Sequence, residues 1–75
     1  MAGQTFRFTS AELLATVLRE IGMRQHVYRR NIEAGKMSQH KADYEIAAMQ
    51  AVADLLERPE VRKLVDGPGL FDSKD

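Results

Sequence analysis

A stripe of apolar side chains, closed by a glycine, restricts the fold of this 75-residue chain more than any other feature. The residues of this stripe recur at alternating steps of four and three, and they are Leu14, Leu18, Ile21, Gln25, Tyr28 and Ile32. Only Gln25 among them is strongly polar. This spacing is typical of an amphipathic helix that buries one side. Gly35 then supplies the residue type that most readily adopts the left-handed conformation at a helix end. The sequence therefore predicts a long first helix followed by a tight turn.

Helix-start signals precede both halves of the predicted hairpin. Thr9 and Glu12 stand at the spacing of a capping box, in which each side chain bonds the backbone of the other. Ser38 suits the N-cap of a second helix that carries Ile46 and Met49 on its apolar face. A connection of three or four residues favours antiparallel packing of the two helices.

Pro59 interrupts the second helical pattern, either as a kink or as the first turn of a new helix. We therefore predict an all-α fold: a long antiparallel helical hairpin at about 9–34 and 38–57, plus a short C-terminal helix at about 59–66. Residues 1–66 form a single helical domain whose extended segment 1–8 lays Phe6 and Phe8 over the core. Residues 67–75 form a flexible C-terminal tail.

Such a hairpin buries one stripe per helix and leaves its flanks exposed. Because a chain of this length has a high surface-to-volume ratio, it commonly needs a partner to be stable. The simplest arrangement is a homodimer that forms a four-helix bundle. The alternative is a monomer whose core is closed by the third helix together with Phe6 and Phe8.

Composition narrows the classes of function. The chain has no cysteine, which excludes disulfides and thiolate metal sites. Its apolar runs fall well short of the roughly 20 residues that cross a bilayer, and its first residues lack a signal-peptide pattern. We expect a cytoplasmic protein of a bacterial host cell, with no membrane partner.

The net charge is zero, but its distribution is uneven. Residues 1–36 contain six basic and three acidic side chains, whereas residues 37–75 contain five basic and eight acidic ones. This segregation favours antiparallel packing of the two halves, or of two copies, as much as it favours a polyanionic partner.

Basic and titratable side chains gather around the predicted turn, and they are the candidate binding residues for a partner or a nucleic acid: Tyr28, Arg29, Arg30, Lys36, His40 and Lys41. The basic residues could contact phosphates while Tyr28 stacks on a base. Alternatively, cations near the end of the first helix complement its dipole, and Tyr28 belongs to the core. The dipole disfavours His40 and Lys41 at the start of the second helix, so folding explains these two residues least well.

We expect no enzymatic activity and no metal or cofactor. Ser38, His40 and Asp43 are the residue types of a hydrolase triad, but they lie too close together at one helix start to point at one another in series. A metal site needs three or four converging ligands, and the only other histidine is His26, far along the first helix.

The C-terminal segment contains Leu70 and Phe71 after a Gly-Pro-Gly sequence. This ending resembles that of short peptides that dock into the bacterial sliding clamp, and it makes Leu70 and Phe71 candidate docking residues. Those peptides usually begin with glutamine, whereas Gly67 stands at that place here.

The chain also resembles a group of small, mostly uncharacterised proteins encoded by bacteriophages and prophages. The resemblance runs from Leu18 to Leu56 and is carried by Val27-Tyr28, by Gly35-Lys36-Met37-Ser38, and by Glu45-Ile46-Ala47 with Met49. It implies a helical hairpin and a phage or prophage origin, and it implies no catalytic residue. We therefore expect a small phage accessory protein that acts by protein–protein interaction, for example by modulating a host protein. The alternative is a nucleic-acid-binding accessory factor in phage replication or recombination.

Overall fold

A computed structural model describes residues 6–67 and shows three helices in that range, with no strand. They are α1 (Ser10–Glu33), α2 (Gln39–Leu56) and α3 (Pro59–Asp66). The predicted all-α hairpin with a short third helix is confirmed. The predicted helix ends differ from these bounds by at most one residue, because the predicted ranges included the capping residues.

The first helix begins at the predicted capping box. The Thr9 hydroxyl accepts a hydrogen bond from the backbone N–H of Glu12 at 3.1 Å, and the Glu12 carboxylate accepts one from the Thr9 N–H at 2.8 Å. Two N–H groups that the helix itself leaves without partners are therefore satisfied. The 24-residue helix that follows is about 36 Å long.

The turn between α1 and α2 has local reasons for its residue types. Gly35 has φ 75°, and its N–H donates to the carbonyl of Ile32 at 3.0 Å, while the Lys36 N–H donates to Asn31 at 2.8 Å. This pair of bonds is the Schellman motif, which needs a left-handed residue. Ser38 then caps α2, because its hydroxyl accepts from the Lys41 N–H at 3.0 Å.

Pro59 breaks the second helix and does not merely kink it. Arg58 is extended, with ψ 134°, and Pro59 occupies the first turn of α3. Proline lacks an N–H to continue the α2 ladder, but its fixed φ suits a helix start.

The core is small and consists of one layer. Among the described residues, Ile21, Ala42 and Ala53 are the buried apolar side chains. The two alanines let α1 and α2 approach closely on the buried side. The Cα atoms span 14 Å in the thinnest direction, which leaves room for a single layer of helices. Stable domains usually pack two layers against each other, so this hairpin has an unpartnered surface.

One expectation about packing is wrong. Phe6 and Phe8 do not cover the core: they are 69% and 54% exposed and stack on each other, with ring centroids 6.3 Å apart. At the start of α1 it is α3 that packs on the hairpin, since it contacts both helices and its Asp66 binds Ser10. The surface around Gly22 in the interior of α1 is open, because a Cβ placed there would meet no atom within 4 Å.

Asp66 joins α3 to the start of α1. Its carboxylate accepts hydrogen bonds from the Ser10 hydroxyl at 2.6 Å and from the Ser10 N–H at 2.7 Å, and Ser10 is almost completely buried. The hydrogen bonds from the Ser10 hydroxyl and then from its N–H, assisted by the charge of Arg62, lower the pKa of Asp66 from its usual value. A carboxylate at this position also complements the dipole of α1.

Candidate interaction site

A groove of about 800 Å³ lies between α1 and α2 on the half of the hairpin nearer the turn. We call it the hairpin groove. Its floor is apolar and consists of buried or half-buried side chains, two from each helix: Tyr28, Ile32, Ala42 and Ile46. Helical spacing brings them together, because residues three or four apart share a face.

Charged side chains form the walls of the hairpin groove. Arg29 and Glu33 come from α1, and Asp43 comes from α2. All three are exposed, and among the ion pairs within 4 Å in residues 6–67 none involves them. Gln39 donates a hydrogen bond to one oxygen of Asp43 at 2.9 Å, so the second oxygen can accept from another group. Gln25 and Gln50 complete the walls with neutral amides.

Tyr28 combines a half-buried ring with a hydrogen-bonded hydroxyl. The hydroxyl lies 3.4 Å from a guanidinium nitrogen of Arg24, whose Nε donates to Glu20 at 2.8 Å. The hydrogen bond with Glu20, followed by that with Tyr28, raises the pKa of Arg24. Tyr28 thus belongs to the groove floor, with its polar end held by the preceding turn of α1.

The structure divides the predicted binding residues into two sets. Tyr28 and Arg29 line the hairpin groove. The remaining four are exposed but lie outside its lining: Arg30, Lys36, His40 and Lys41.

Lys41 has a local partner that the sequence interpretation did not consider. Its ammonium nitrogen lies 3.4 Å from a carboxylate oxygen of Glu45, one turn along α2. Such an exposed pair contributes roughly 0.3–0.5 kcal/mol, which offsets part of the unfavourable position of a cation at a helix start. Leu70 and Phe71 lie outside the described residues.

Sequence reasoning missed the acidic wall of the groove. It considered Asp43 only beside Ser38 and His40, as a residue type of a hydrolase triad. The available signal was the spacing of Arg29, Glu33 and Asp43 around the turn. It could not be interpreted without knowing which sides of α1 and α2 face the same groove.

Residues 6–67 contain neither a membrane-spanning helix nor a metal-binding cluster. No described helix has the length and hydropathy required to cross a membrane. No group of three or more histidine or carboxylate side chains in that range is placed to hold a metal ion. Comparison of the whole chain with protein-family models, curated proteins and solved structures finds no match.

Proposed function

We propose that this protein acts by protein–protein interaction, and that its functional form is a homodimer in which two hairpins build a four-helix bundle. The observation that carries the proposal is the single-layer fold, whose described residues bury only three apolar side chains. Burial of apolar surface is the main driving force of both folding and association, so the exposed flanks favour a partner.

Exposed apolar side chains supply the contact surface for a second kind of partner. Val52 and Leu55 on α2 are about half exposed, and Tyr44 is 68% exposed. Helical spacing directs Val52 and Leu55 away from the hairpin groove, so a bound protein could reach them in the dimer. The resemblance to small phage proteins supports a bacterial cytoplasmic setting and a host protein as that partner.

Light scattering coupled to gel filtration tests the dimer. We expect a mass twice the 8.5 kDa of the chain when the protein is loaded at high micromolar concentration. A mass of one chain throughout the accessible concentration range would overturn the homodimer.

Affinity capture with matched baits tests the second partner. The wild-type chain and an Ala15→Glu control, altered at an exposed position of α1 rather than on the α2 surface, should recover the same bacterial protein. A Val52→Glu/Leu55→Glu bait should lose it, because two charges replace the apolar contacts. Equal recovery by all three baits, or recovery of nothing by the wild type, would contradict an interaction through this surface.

A nucleic-acid-binding accessory factor is the second candidate function. It is supported by the exposure of Arg30, Lys36 and His40 at the turn end of the molecule. Phosphate contacts would give an affinity that falls steeply between 50 and 200 mM salt, by about 10³-fold or more when six phosphates are neutralised. Arg30→Glu/Lys36→Glu should then abolish a gel shift without changing the dimer. The absence of any shift at low salt would refute this candidate.

A further inference from the structure

We propose that the hairpin groove is the surface through which the chain pairs with a second copy of itself. Each copy places its α1 against α2 of the other, and Arg29 of each pairs with Asp43 of the other. This inference rests on the proposed homodimer and specifies its arrangement: the two-fold axis runs parallel to the helices, and both turns lie at the same end.

The positions of the two charges lead to this symmetry. Arg29 and Asp43 line one groove from different helices, and each lies seven residues from Lys36 in the turn, so the two are at about the same height along the hairpin. A two-fold axis parallel to the helices exchanges the α1 wall with the α2 wall and leaves the height unchanged. Symmetric interfaces present the same patch twice, so one Arg–Asp match in the chain becomes two in the dimer.

Arg29 and Asp43 form no competing ion pair among the described residues. Asp43 also has one oxygen left after its bond from Gln39. A carboxylate can accept two parallel bonds from a guanidinium, which gives such a pair directional specificity. The neutral amides of Gln25 and Gln50 can bond at the polar rim of an interface.

The same charges argue against a polyanion in the groove. One arginine stands against two carboxylates, Glu33 and Asp43, so the groove walls are net negative. Like charge repels phosphates. A second copy supplies a guanidinium for Asp43 and a carboxylate for Arg29, while its Ile32 and Ile46 add apolar contact to the floor.

The size of the surface predicts a modest affinity. Even the full face of the hairpin, two helices wide at about 10 Å per helix and about 27 Å long over the 18 residues of α2, has a footprint of only about 540 Å² on each copy. Stable interfaces bury about 600–1,000 Å² per partner, so this one falls below that range, among the weak and transient interfaces. We expect a dissociation constant in the micromolar range.

Charge exchange with mixing provides the test. Arg29→Asp places two carboxylates opposite each other in the dimer, and Asp43→Arg places two guanidinium groups there. Each variant alone should dissociate at least tenfold more readily than the wild type in sedimentation equilibrium. An equimolar mixture of the two should recover dimer, because one Arg29→Asp chain and one Asp43→Arg chain restore both attractive pairs. Native mass spectrometry should show the mixed species.

Controls separate the failure of this inference from failure of the dimer. Arg30→Asp, next to Arg29 but outside the groove, should leave the dissociation constant within twofold. If the wild type is monomeric, the proposed dimer itself fails. If the wild type dimerises but the variants pair normally, or mixing recovers nothing, the dimer stands and the groove pairing is wrong.

Circular dichroism checks the helix content of each variant. If a charge reversal unfolds the chain, Arg29→Gln and Asp43→Asn replace the pair. Each should weaken the wild-type dimer, whereas unchanged dissociation constants would overturn the pairing.

Discussion

Replacing Gly22 with alanine should stabilise the folded chain, and the size of the effect follows from its position. Gly22 lies in the interior of α1, 12 residues after its first residue and 11 before its last. Glycine in a helix interior costs about 0.5–1 kcal/mol relative to alanine, because it loses more backbone freedom on folding. A Cβ at this position meets no atom within 4 Å, so no steric penalty opposes the gain.

The expected gain in the free energy of unfolding is therefore about 0.5–1 kcal/mol. For a domain of 60–100 residues, 1 kcal/mol corresponds to about 4–8 °C, so Tm should rise by about 2–8 °C. Thermal unfolding followed by far-ultraviolet circular dichroism measures this shift. Ala15→Gly is the matched control, since Ala15 is exposed in the same helix and the substitution should lower Tm by a similar amount.

The measurement should be made at the lowest usable protein concentration, because self-association makes Tm depend on concentration. A lower Tm for Gly22→Ala under those conditions, beside a normal loss for Ala15→Gly, would refute the reasoning. It would mean that the surface around Gly22 is not open in the isolated chain.

Three further predictions concern the turn and the junction between α1 and α3. Gly35→Ala should lower the free energy of unfolding by about 1 kcal/mol in urea titration, because φ 75° strains any residue with a Cβ; an unchanged midpoint and slope would contradict this. Ser38→Ala should lower the free energy of unfolding by about 1 kcal/mol in the same assay, because it removes the cap of α2. Ser38→Asn should keep the cap and most of the stability. Asp66→Asn should lower Tm at pH 6, and its difference from the wild type should shrink as the pH falls below about 4. The lowered pKa of Asp66 means that its carboxylate stabilises the folded chain above about pH 4 and that this contribution is lost as the pH falls through the folded-state pKa. Ser10→Ala should reduce the same pH dependence, and a difference between wild type and Asp66→Asn that does not vary with pH would contradict the assignment.

Much of the helical hairpin could be predicted because its decisive interactions are local. The Thr9–Glu12 capping box and the Ser38 cap join residues three apart, and the Gly35 turn joins residues within five positions. Backbone groups at helix ends must find partners nearby or in water, so the residue types around those ends indicate the bounds. The same reasoning left the effect of Pro59 open, because a kink and a break begin with similar local geometry.

The candidate site could be predicted only in part. Tyr28 and Arg29 were identified from the charge and aromatic pattern, and both line the hairpin groove. Asp43, on the opposite wall, belongs to the groove only because α2 turns that side toward α1. Leu18 belongs to the apolar stripe but remains 47% exposed, since the stripe is wider than the surface that α2 covers.

The sequence by itself determined where the helices begin and end, because hydrogen bonds and side-chain contacts within one or two turns decide those points. Only the tertiary structure decided that Ile21, Ala42 and Ala53 form the core, that Arg29 and Asp43 share a groove, and that Ser10 bonds Asp66 across 56 positions. These outcomes depend on how each helix is rotated about its own axis and which surface of a distant segment it meets. Such rotations follow from the packing of the whole chain, which no local pattern records.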